Sequence, residues 1–385
     1  MTNIKYIGAS SPEVKIFEGQ YPTPDGMAYN SWLIDDEKIA VLDTVDNAVG
    51  ETWKKKLAEA LGGRKPDYLV VQHLEPDHSA LIGWFVGQYP ETTVVLSARA
   101  AQMLPNFFRD TQFKMSPVKE GDTLKLGRHE LRFIMAPMVH WPEVMVSYEQ
   151  ATRSLFSADA FGSFGAQDAA ASDTSGWTES ARRYYYNICG KYGVQVQGLL
   201  KKASALDIAT VYPLHGPVLR GETLANALAH YANWSTWTPE RAGVVVAYAS
   251  IHGNTASAAM RFAEMLRSRG VEDVATVDLT LTEVSYATAE VMDWPRVALF
   301  SSSYDGGLFP PMENLLLHLQ AKGFCNRKVA LVENGSWAPC AAKEMRRALE
   351  GMKGIELAST TVTIKTTPDA DALASLERLA DEMAK

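Results

Sequence analysis

The sequence HLEPDH, residues 73–78, places four potential metal ligands within six residues. It follows directly after a β-rich run that ends at Val71. In an extended segment alternate side chains point to the same side, so we expect His73, Glu75 and Asp77 to share one face. The proline inside the segment cannot donate a ladder hydrogen bond and favours a loop there. The segment therefore predicts a metal site where a strand ends.

Three further candidate ligands follow predicted strands later in the chain, at the kind of position where sites collect on such scaffolds. Together with residues 73–78 they form a set of imidazoles and carboxylates: His73, Glu75, Asp77, His78, His140, Asp159 and His215. These seven side chains are enough for two metal ions that share a bridging carboxylate. The mixture of nitrogen and hard oxygen ligands suits iron or manganese better than zinc.

The pattern His-x-Glu-x-Asp-His, with a later His, Asp and His, resembles the metallo-β-lactamase-like domain of flavodiiron proteins. Hydrolases of that superfamily usually carry His at the position of Glu75, and in flavodiiron proteins the change accompanies a redox-active di-iron site. The resemblance implies two irons bridged by Asp159. One iron would be held by His73, Glu75, His140 and Asp159. The other would be held by Asp77, His78, Asp159 and His215. In some family members the histidine equivalent to His78 turns away and water replaces it, so its role is left open.

The pattern of elements changes after about Arg241. The first 240 residues predict short strands with interspersed helices, and the segment Gly162 to Asn187 predicts a long active-site loop with some helix. Beyond Arg241, apolar strands such as Gly243 to Ala249 alternate with helices, which indicates a parallel sheet covered on both faces. We therefore predict an α/β chain with two domains, residues 1–240 and 241–385. The resemblance implies a metallo-β-lactamase-like αββα sandwich followed by a flavodoxin-like doubly wound parallel sheet.

Three loops in the second half follow predicted strands and carry small polar and aromatic residues. Ligands bind at the carboxyl ends of strands in open parallel sheets, and a phosphate is favoured where a loop leads into a helix. Tyr304 and Trp337 offer aromatic faces for a tricyclic ring. This half resembles flavodoxin, which implies FMN and the following cofactor-binding residues: Ser250, His252, Gly253, Asn254, Thr255, Ser302, Ser303, Tyr304, Asp305, Gly306, Gly307, Asn334, Gly335, Ser336 and Trp337. Whether His252 contacts the phosphate, the ring or solvent is left open.

Composition limits the classes of partner. The chain has 385 residues, of which 46% are apolar and 21% charged, with a net charge of −8. It has no long basic run, so neither nucleic acid nor an anionic membrane is an expected partner. The N-terminus has no long apolar stretch, so we expect neither a signal peptide nor a membrane span and predict a cytoplasmic location. The three cysteines form no CxxC pair, so neither a disulfide framework nor an iron–sulfur site is expected.

The resemblance covers essentially the whole chain and implies an oxidoreductase. Electrons would pass through FMN to the di-iron site, where O2 is reduced to water, NO to N2O, or both, with O2 as our first choice. It implies an external donor such as rubredoxin or a reductase, and a head-to-tail homodimer or a tetramer that brings FMN of one subunit to the irons of another. Two other interpretations stay open: a zinc metallohydrolase fused to a flavodoxin-like module, and an electron carrier or flavin-binding partner whose first domain is inert.

Overall fold

The computed structural model describes residues 3–167, 169, 174 and 176–385. The first two residues and part of the predicted Gly162–Asn187 loop therefore lie outside the described residues. The chain divides into two compact units, Met1–Ser235 and Thr236–Lys385. The domain boundary inferred from the sequence, between residues 240 and 241, stays a prediction.

The first unit alternates short strands with helices, as its turn-rich sequence predicts. Its strands, in chain order, are β1 Ile4–Tyr6, β2 Ala9–Ser11, β3 Ile16–Phe17, β4 Tyr21–Pro22, β5 Met27–Tyr29, β6 Trp32–Asp35, β7 Ile39–Leu42, β8 Tyr68–Val71, β9 Thr93–Ser97, β10 Met115–Val118, β11 Thr123–Lys125, β12 Glu130–Met135, β13 Met145–Glu149, β14 Ser154–Phe156, β15 Thr210–Tyr212 and β16 Leu219–Arg220. Its α-helices are α1 Gly50–Leu61, α2 Pro76–Ser79, α3 Ile82–Gln88, α4 Ala98–Phe107, α5 Trp177–Ile188, α6 Gly193–Ala203 and α7 Gly221–Trp234.

Two sheets pack face to face in this unit. One has the strand order β1-β6-β7-β8-β9-β10 and the other β11-β12-β13-β14-β15-β16. Side chains from both sheets meet in an apolar cluster that includes Leu42, Val70, Phe133 and Phe156. Helices α1 and α4 contact the first sheet and α7 contacts the second. The αββα arrangement that the resemblance implies is confirmed.

The second unit alternates strands and helices more regularly. Its strands are β17 Val244–Ala249, β18 Val274–Asp278, β19 Arg296–Tyr304, β20 Gly307–Leu308, β21 Lys328–Asn334 and β22 Glu356–Ile364. Its helices are α8 Asn254–Ser268, α9 Val284–Met292, α10 Pro310–Ala321, α11 Ala341–Leu349 and α12 Ala370–Met383. Strand β22 is an element that the sequence analysis does not identify.

The sheet of the second unit has the order β18-β17-β19-β21-β22, and all of these neighbours pair in parallel. Numbered within the unit, this is the order 2-1-3-4-5 of flavodoxin-like folds. Helices α8 and α12 pack together over one face, and α9, α10 and α11 pack over the other. Because both faces are covered, the adjacent strand residues Val245 and Val246 are both fully buried.

Among the described residues, no helix has the length and apolar character that crossing a lipid bilayer requires.

Candidate functional site

The metal-ligand segment begins after strand β8 and ends in a helical turn. Strand β8 ends at Val71, and α2 begins at Pro76. Proline is favoured at the first helical position because the N–H that it lacks has no intrahelical partner there. The expected extended segment therefore fails at Asp77, which lies on α2. As a result Asp77 faces a different ligand group from His73 and Glu75.

The first ligand group contains His73, Glu75, His140 and Asp159, whose ligand atoms all lie within 4.8 Å of one another. Glu75 Oε2 lies 3.2 Å from His73 Nε2 and 3.0 Å from His140 Nε2. Asp159 Oδ2 lies 3.3 Å from His73 Nε2 and 3.2 Å from His140 Nε2. Imidazole nitrogens and carboxylate oxygens therefore converge on one small volume.

The second ligand group contains Asp77, His78 and His215. Asp77 Oδ2 lies 3.1 Å from His78 Nε2 and 3.2 Å from His215 Nε2, and the two Nε2 atoms are 3.0 Å apart. His78 therefore points into this group and is not turned away from it.

Asp159 lies between the two groups. Its Oδ2 atom faces the first group, while its Oδ1 atom lies 3.4 Å from His78 Nε2 and 3.7 Å from His215 Nε2. Asp159 and His215 follow β14 and β15, which are parallel neighbours, so the two residues arrive at the same edge of the sheet. The structure thus brings all of the predicted metal ligands together, with one carboxylate placed to be shared.

Neighbouring groups fix the orientation of two imidazoles. His73 Nδ1 lies 2.9 Å from Glu143 Oε1, and His215 Nδ1 lies 2.7 Å from the carbonyl oxygen of Ala28. Each Nδ1–H therefore donates outward, which leaves Nε2 to face the ligand group. Glu143 is buried and also accepts a hydrogen bond from the Leu74 N–H at 3.0 Å.

The ligand groups form a buried set of opposite charges. Burial alone would lower the pKa of His140, but the carboxylates of Asp159 and Glu75 raise it to about 9. Burial alone would raise the pKa of Asp159, but His73 and His140 hold it well below its ordinary range. These carboxylates are therefore ionised near neutral pH and require compensating positive charge.

Several buried polar atoms of the site lie close to oppositely charged side chains but have no partner in hydrogen-bonding geometry within the described part of the chain. They include both carboxylate oxygens of Asp77, His140 Nε2 and Asp159 Oδ1. A buried polar atom without a partner is costly unless an ion or ligand satisfies it. Mixed imidazole and carboxylate donors in two adjoining groups fit a pair of divalent cations.

The metal site opens on one side. A cavity of about 370 Å³ borders Glu75 from the first group and Asp77 from the second. Phe17, Glu18 and Tyr29 also line it. The cavity therefore gives a small molecule access to both ligand groups.

A second cavity, of about 470 Å³, lies in the second unit at the carboxyl ends of β17, β19 and β21. The predicted residues that line it are Ser250, His252, Asn254, Thr255, Ser302, Ser303, Tyr304, Asp305, Gly306, Asn334, Gly335, Ser336 and Trp337. Gly253 and Gly307, also predicted from the sequence, do not line it. The strand order reverses between β17 and β19, and ligands of open α/β sheets bind at such a switch point.

Hydrogen bonds between the loops fix the polar wall of this cavity. Thr255 Oγ1 lies 2.9 Å from Ser302 Oγ, which joins the first loop to the second. Asn334 Nδ2 donates to the Thr366 carbonyl oxygen at 3.0 Å, and Asn334 Oδ1 accepts from the Thr366 N–H at 2.9 Å. The third loop is therefore tied to the end of β22.

The cavity combines an aromatic side with a side suited to phosphate. Tyr304 is 45% exposed and Trp337 is 91% exposed, so both present open ring faces. At the other side α8 begins after Gly253, whose φ of 92° is a conformation that glycine adopts without strain. The first N–H groups of a helix lack intrahelical acceptors and favour an anion. A flat aromatic ring that carries a phosphate tail fits this arrangement.

Comparisons with known proteins identify the family of the chain. A family model described as ODP family beta lactamase matches residues 27–216. The rubredoxin-oxygen oxidoreductase of Megalodesulfovibrio gigas is 26% identical, over 98% of this chain and 95% of that protein. An anaerobic nitric oxide reductase flavorubredoxin of Aeromonas hydrophila subsp. hydrophila is 26% identical, over 100% of this chain and 78% of that protein. The crystal structure of the flavodiiron protein from Giardia intestinalis matches with a TM-score of 0.93 at 24% identity, covering 100% of this chain and 95% of that chain. The chain belongs to the flavodiiron protein family.

Sequence reasoning misses two residues that support the metal site of this flavodiiron protein. Glu143, which orients His73, comes three residues after His140, and a carboxylate so near a ligand is the signal that could reveal it. Asn30 Nδ2 donates to the carbonyl oxygens of Pro213 at 2.9 Å and Gly216 at 2.8 Å, on either side of His215. No local pattern in the sequence identifies the role of Asn30, because its hydrogen-bond partners are far away in the sequence.

The flavodiiron chain also differs from expectation in its second cavity. Ile251, Ala338 and Thr366 line the cavity but are not predicted from the sequence. Ile251 lies inside a predicted loop but is apolar, and Thr366 follows the unidentified strand β22. The hydroxyl of Ser303 accepts the Cys340 N–H at 2.8 Å, so it supports the start of α11 as well as lining the cavity.

Proposed function

We propose that this flavodiiron protein is an oxidoreductase that reduces O2 to water, NO to N2O, or both, at a di-iron centre that receives its electrons through FMN. The observation that carries the proposal is the position of Asp159, whose two oxygens face two separate groups of ligands. The Megalodesulfovibrio relative is named an oxygen oxidoreductase and the Aeromonas relative a nitric oxide reductase. Both substrates therefore belong to the proposal.

The proposed ligands of the first iron are His73, Glu75, His140 and Asp159. Those proposed for the second are Asp77, His78, Asp159 and His215. When bound, a di-iron(II) centre can give two electrons to a diatomic molecule, and reduced FMN can give two more. Together these are the four electrons that reduction of O2 to water requires. The chain itself positions these groups and does not carry the redox chemistry.

The positioning residues act on the imidazoles and on access to them. Glu143 and the Ala28 carbonyl hold the Nδ1 protons of His73 and His215, so that each Nε2 is free to bind a cation. His73, His78 and His215 are fully buried, which keeps bulk water from these three imidazoles. The cavity beside Glu75 and Asp77 is then the proposed entrance for the diatomic substrate.

The cavity of the second unit is the proposed FMN site. The phosphate would lie against the loop that leads into α8, and the ring would lie between Tyr304 and Trp337. We propose for FMN contact the lining residues together with Gly253 and Gly307, whose backbone belongs to the same loops. The loop ties between Thr255 and Ser302 support a preformed site.

We further propose an external electron donor, such as rubredoxin or a reductase, and a head-to-tail homodimer or a tetramer. The name of the Megalodesulfovibrio relative includes rubredoxin, which supports the first of these. The arrangement of subunits follows from the family resemblance. The cytoplasmic location and the lack of nucleic-acid or membrane partners stay predictions from composition.

A zinc metallohydrolase fused to a flavodoxin-like module is the alternative. Zinc sites favour imidazole and thiolate ligands, whereas this site places carboxylate oxygens of Glu75, Asp77 and Asp159 among its donors. The named relatives are oxidoreductases. Both observations favour the redox function.

The test combines cofactor counting with turnover on one sample. Iron, zinc and FMN are counted in the purified protein, which is then reduced without oxygen and supplied separately with O2 and with NO. We expect about two irons and one FMN per chain and consumption of at least one gas. In Asp159→Ala, iron content and gas consumption should fall together while FMN is retained.

The matched control is Asp207→Ala, which removes a 74% exposed carboxylate of the same unit and should leave all values unchanged. Two zinc ions with hydrolysis of a thioester or lactam would support the alternative. Functional electron transfer by iron-free protein would instead indicate an electron carrier with an inert first unit.

A further inference from the structure

The cavity that borders Glu75 and Asp77 carries two further carboxylates. Glu18 and Asp46 line it but belong to neither group of metal ligands. The remaining lining residues are apolar or aromatic: Val14, Ile16, Phe17, Tyr29 and Pro76. None of the described residues that line this cavity is a lysine or an arginine. Since O2 and NO are uncharged, the acidic lining does not serve to attract the proposed substrates, and a cation is the species that it favours.

Glu18 is held beside the metal site by a tight turn. Strands β3 and β4 form a hairpin in which the Gln20 N–H donates to the Phe17 carbonyl oxygen at 3.0 Å. Glu18 and Gly19 occupy the two central positions of this turn. Part of Glu18 is exposed, yet burial and then the Glu75 carboxylate raise the pKa of its side chain to about 7. The Glu18 carboxyl group therefore lies within electrostatic range of the metal ligands and is mostly ionised at pH 8.

Asp46 reaches the cavity from a different loop. Its Oδ1 atom accepts the Ala48 N–H at 2.7 Å, which fixes the side chain at the start of a short 3₁₀ helix, Asn47–Val49. Burial, then the carboxylates of Asp46 and Asp77, raise the pKa of the Tyr29 hydroxyl above its usual value. Asp46 and Asp77 therefore act on the same side chain of the cavity wall.

Asp77 extends the acidic lining into the metal site. It is 8% exposed, and both of its carboxylate oxygens lack a partner in hydrogen-bonding geometry within the described residues. Lys15 lies between two lining residues in the sequence, but its Nζ donates to the Pro24 carbonyl oxygen at 2.8 Å. A cleft lined by one sign of charge, with apolar walls that reduce screening, concentrates ions of the opposite sign. A cation that enters is therefore drawn toward Asp77.

We propose that Glu18 and Asp46 form an entry site for divalent cations, which directs iron to the two ligand groups. The inference rests on the proposed di-iron centre and gives a role to two residues outside it. Carboxylate oxygens are hard anionic donors that bind divalent cations. The ligand groups behind the entry site offer imidazole nitrogens as well as carboxylates, so the cation moves on to them.

The experiment follows Co²⁺ entry into the metal-free full-length chain. Co²⁺ is mixed with the chain at pH 8 and low salt, and the visible absorption that it gains on binding is followed beyond the flavin band by stopped flow. In Glu18→Gln and Asp46→Asn the charge is lost, but an amide oxygen can still accept from Gln20 Nε2 or the Ala48 N–H. We expect each change to slow the association about threefold, and both together about tenfold. The amount bound at the end should stay at about two Co²⁺ per chain.

A second double variant and a change of salt separate local charge from other causes. Glu51→Gln combined with Asp207→Asn removes the same net charge from exposed positions of the same unit and should take up Co²⁺ at the unmodified rate. At about 0.5 M salt all of the proteins should show the same rate, because salt screens exposed charges.

Three results would overturn the entry site: equal rates for the two double variants at low salt, slowing that persists at high salt, or a loss of bound Co²⁺ in the entry-site variants. An unmodified chain that binds no Co²⁺ would overturn the proposed two-metal centre itself.

Discussion

Asp159 and Glu75 give the metal site its oxygen-rich character. Each carboxylate contacts both His73 and His140 through a single oxygen, and Asp159 directs its second oxygen to His78 and His215. An imidazole in place of either carboxylate would supply one ligand atom without negative charge. Hard anionic donors of this kind suit a pair of iron ions that change oxidation state.

Glu149 shows how another buried carboxylate stabilises the same unit without taking part in the site. Burial would raise its pKa, but the Thr152 hydroxyl and the N–H groups of Thr152 and Ala151 hold this pKa below its ordinary value of 4.5. A carboxyl group with a lowered folded-state pKa stabilises the fold above its ordinary pKa, and the contribution is lost as the pH falls through the folded-state value. We expect Glu149→Gln to lower the free energy of unfolding by about 1–3 kcal/mol at pH 7 and by less near pH 4.

Urea-induced unfolding at both pH values measures this difference. Glu51→Gln is the control, since Glu51 is 91% exposed and its change should alter the free energy of unfolding by less than about 0.5 kcal/mol. If Glu149→Gln lowers the free energy of unfolding equally at pH 4 and pH 7, the ionised carboxylate is not what stabilises residues 149–152.

At the scale of elements, strand ends and the loops after them supply almost every candidate ligand. Strand β8 leads into residues 73–78, and β17, β19 and β21 lead into the loops of the FMN cavity. The sequence analysis does not identify β22 because it is an edge strand that is rich in Ser and Thr and has exposed residues among its buried ones. Such a strand lacks the continuous apolar run that identifies its buried neighbours.

The third loop of the FMN cavity depends on one glycine. A Cβ at Gly335 would lie 2.8 Å from Pro339 Cα, closer than packed atoms tolerate, whereas a Cβ at Gly307 would lie no closer than 3.7 Å to the Tyr304 carbonyl oxygen. We expect Gly335→Ala to displace this loop and weaken FMN binding by about tenfold or more, a cost of roughly 1–3 kcal/mol. Gly198→Ala on α6 is the control and should retain FMN, because a Cβ at Gly198 would meet no atom within 4 Å. Absorbance of the purified variants gives the flavin content, and full retention in Gly335→Ala would contradict the expectation.

At the scale of the whole molecule, each unit has its own core and its own site. The first unit holds the metal ligands at the ends of two packed sheets. The second unit holds the FMN cavity at the carboxyl ends of the strands of a parallel sheet. Turnover therefore requires electrons to travel between sites built by different units. In the proposed head-to-tail dimer, electrons pass from the flavin of one chain to the metal site of the other.

Mixing two inactive variants tests the transfer between chains. Asp159→Ala is expected to lack the metal site. Gly335→Ala binds FMN weakly and is expected to hold little flavin once free FMN is removed, so neither homodimer should consume O2 or NO at an appreciable rate. After subunit exchange, a mixed dimer pairs the flavin of one chain with the metals of the other, and about a quarter of the unmodified activity should return. Each variant exchanged with itself is the control. No recovery in a mixture that forms mixed dimers would indicate that electrons stay within one chain.

The sequence by itself determined most of the element types, the seven metal-ligand candidates and most of the residues that line the FMN cavity, because these depend on residue type and on position after a strand. The resemblance to flavodiiron proteins grouped Asp77 with His78 and His215, whereas the spacing of an extended segment placed it with His73 and Glu75. The helical turn that begins at Pro76 is the reason that the spacing argument failed. Only the tertiary structure decided that His78 and His215, 137 residues apart, place their Nε2 atoms 3.0 Å from each other. That contact, like the hydrogen bonds of Asn30, depends on which strands become neighbours and how two sheets face each other, and no local pattern encodes this.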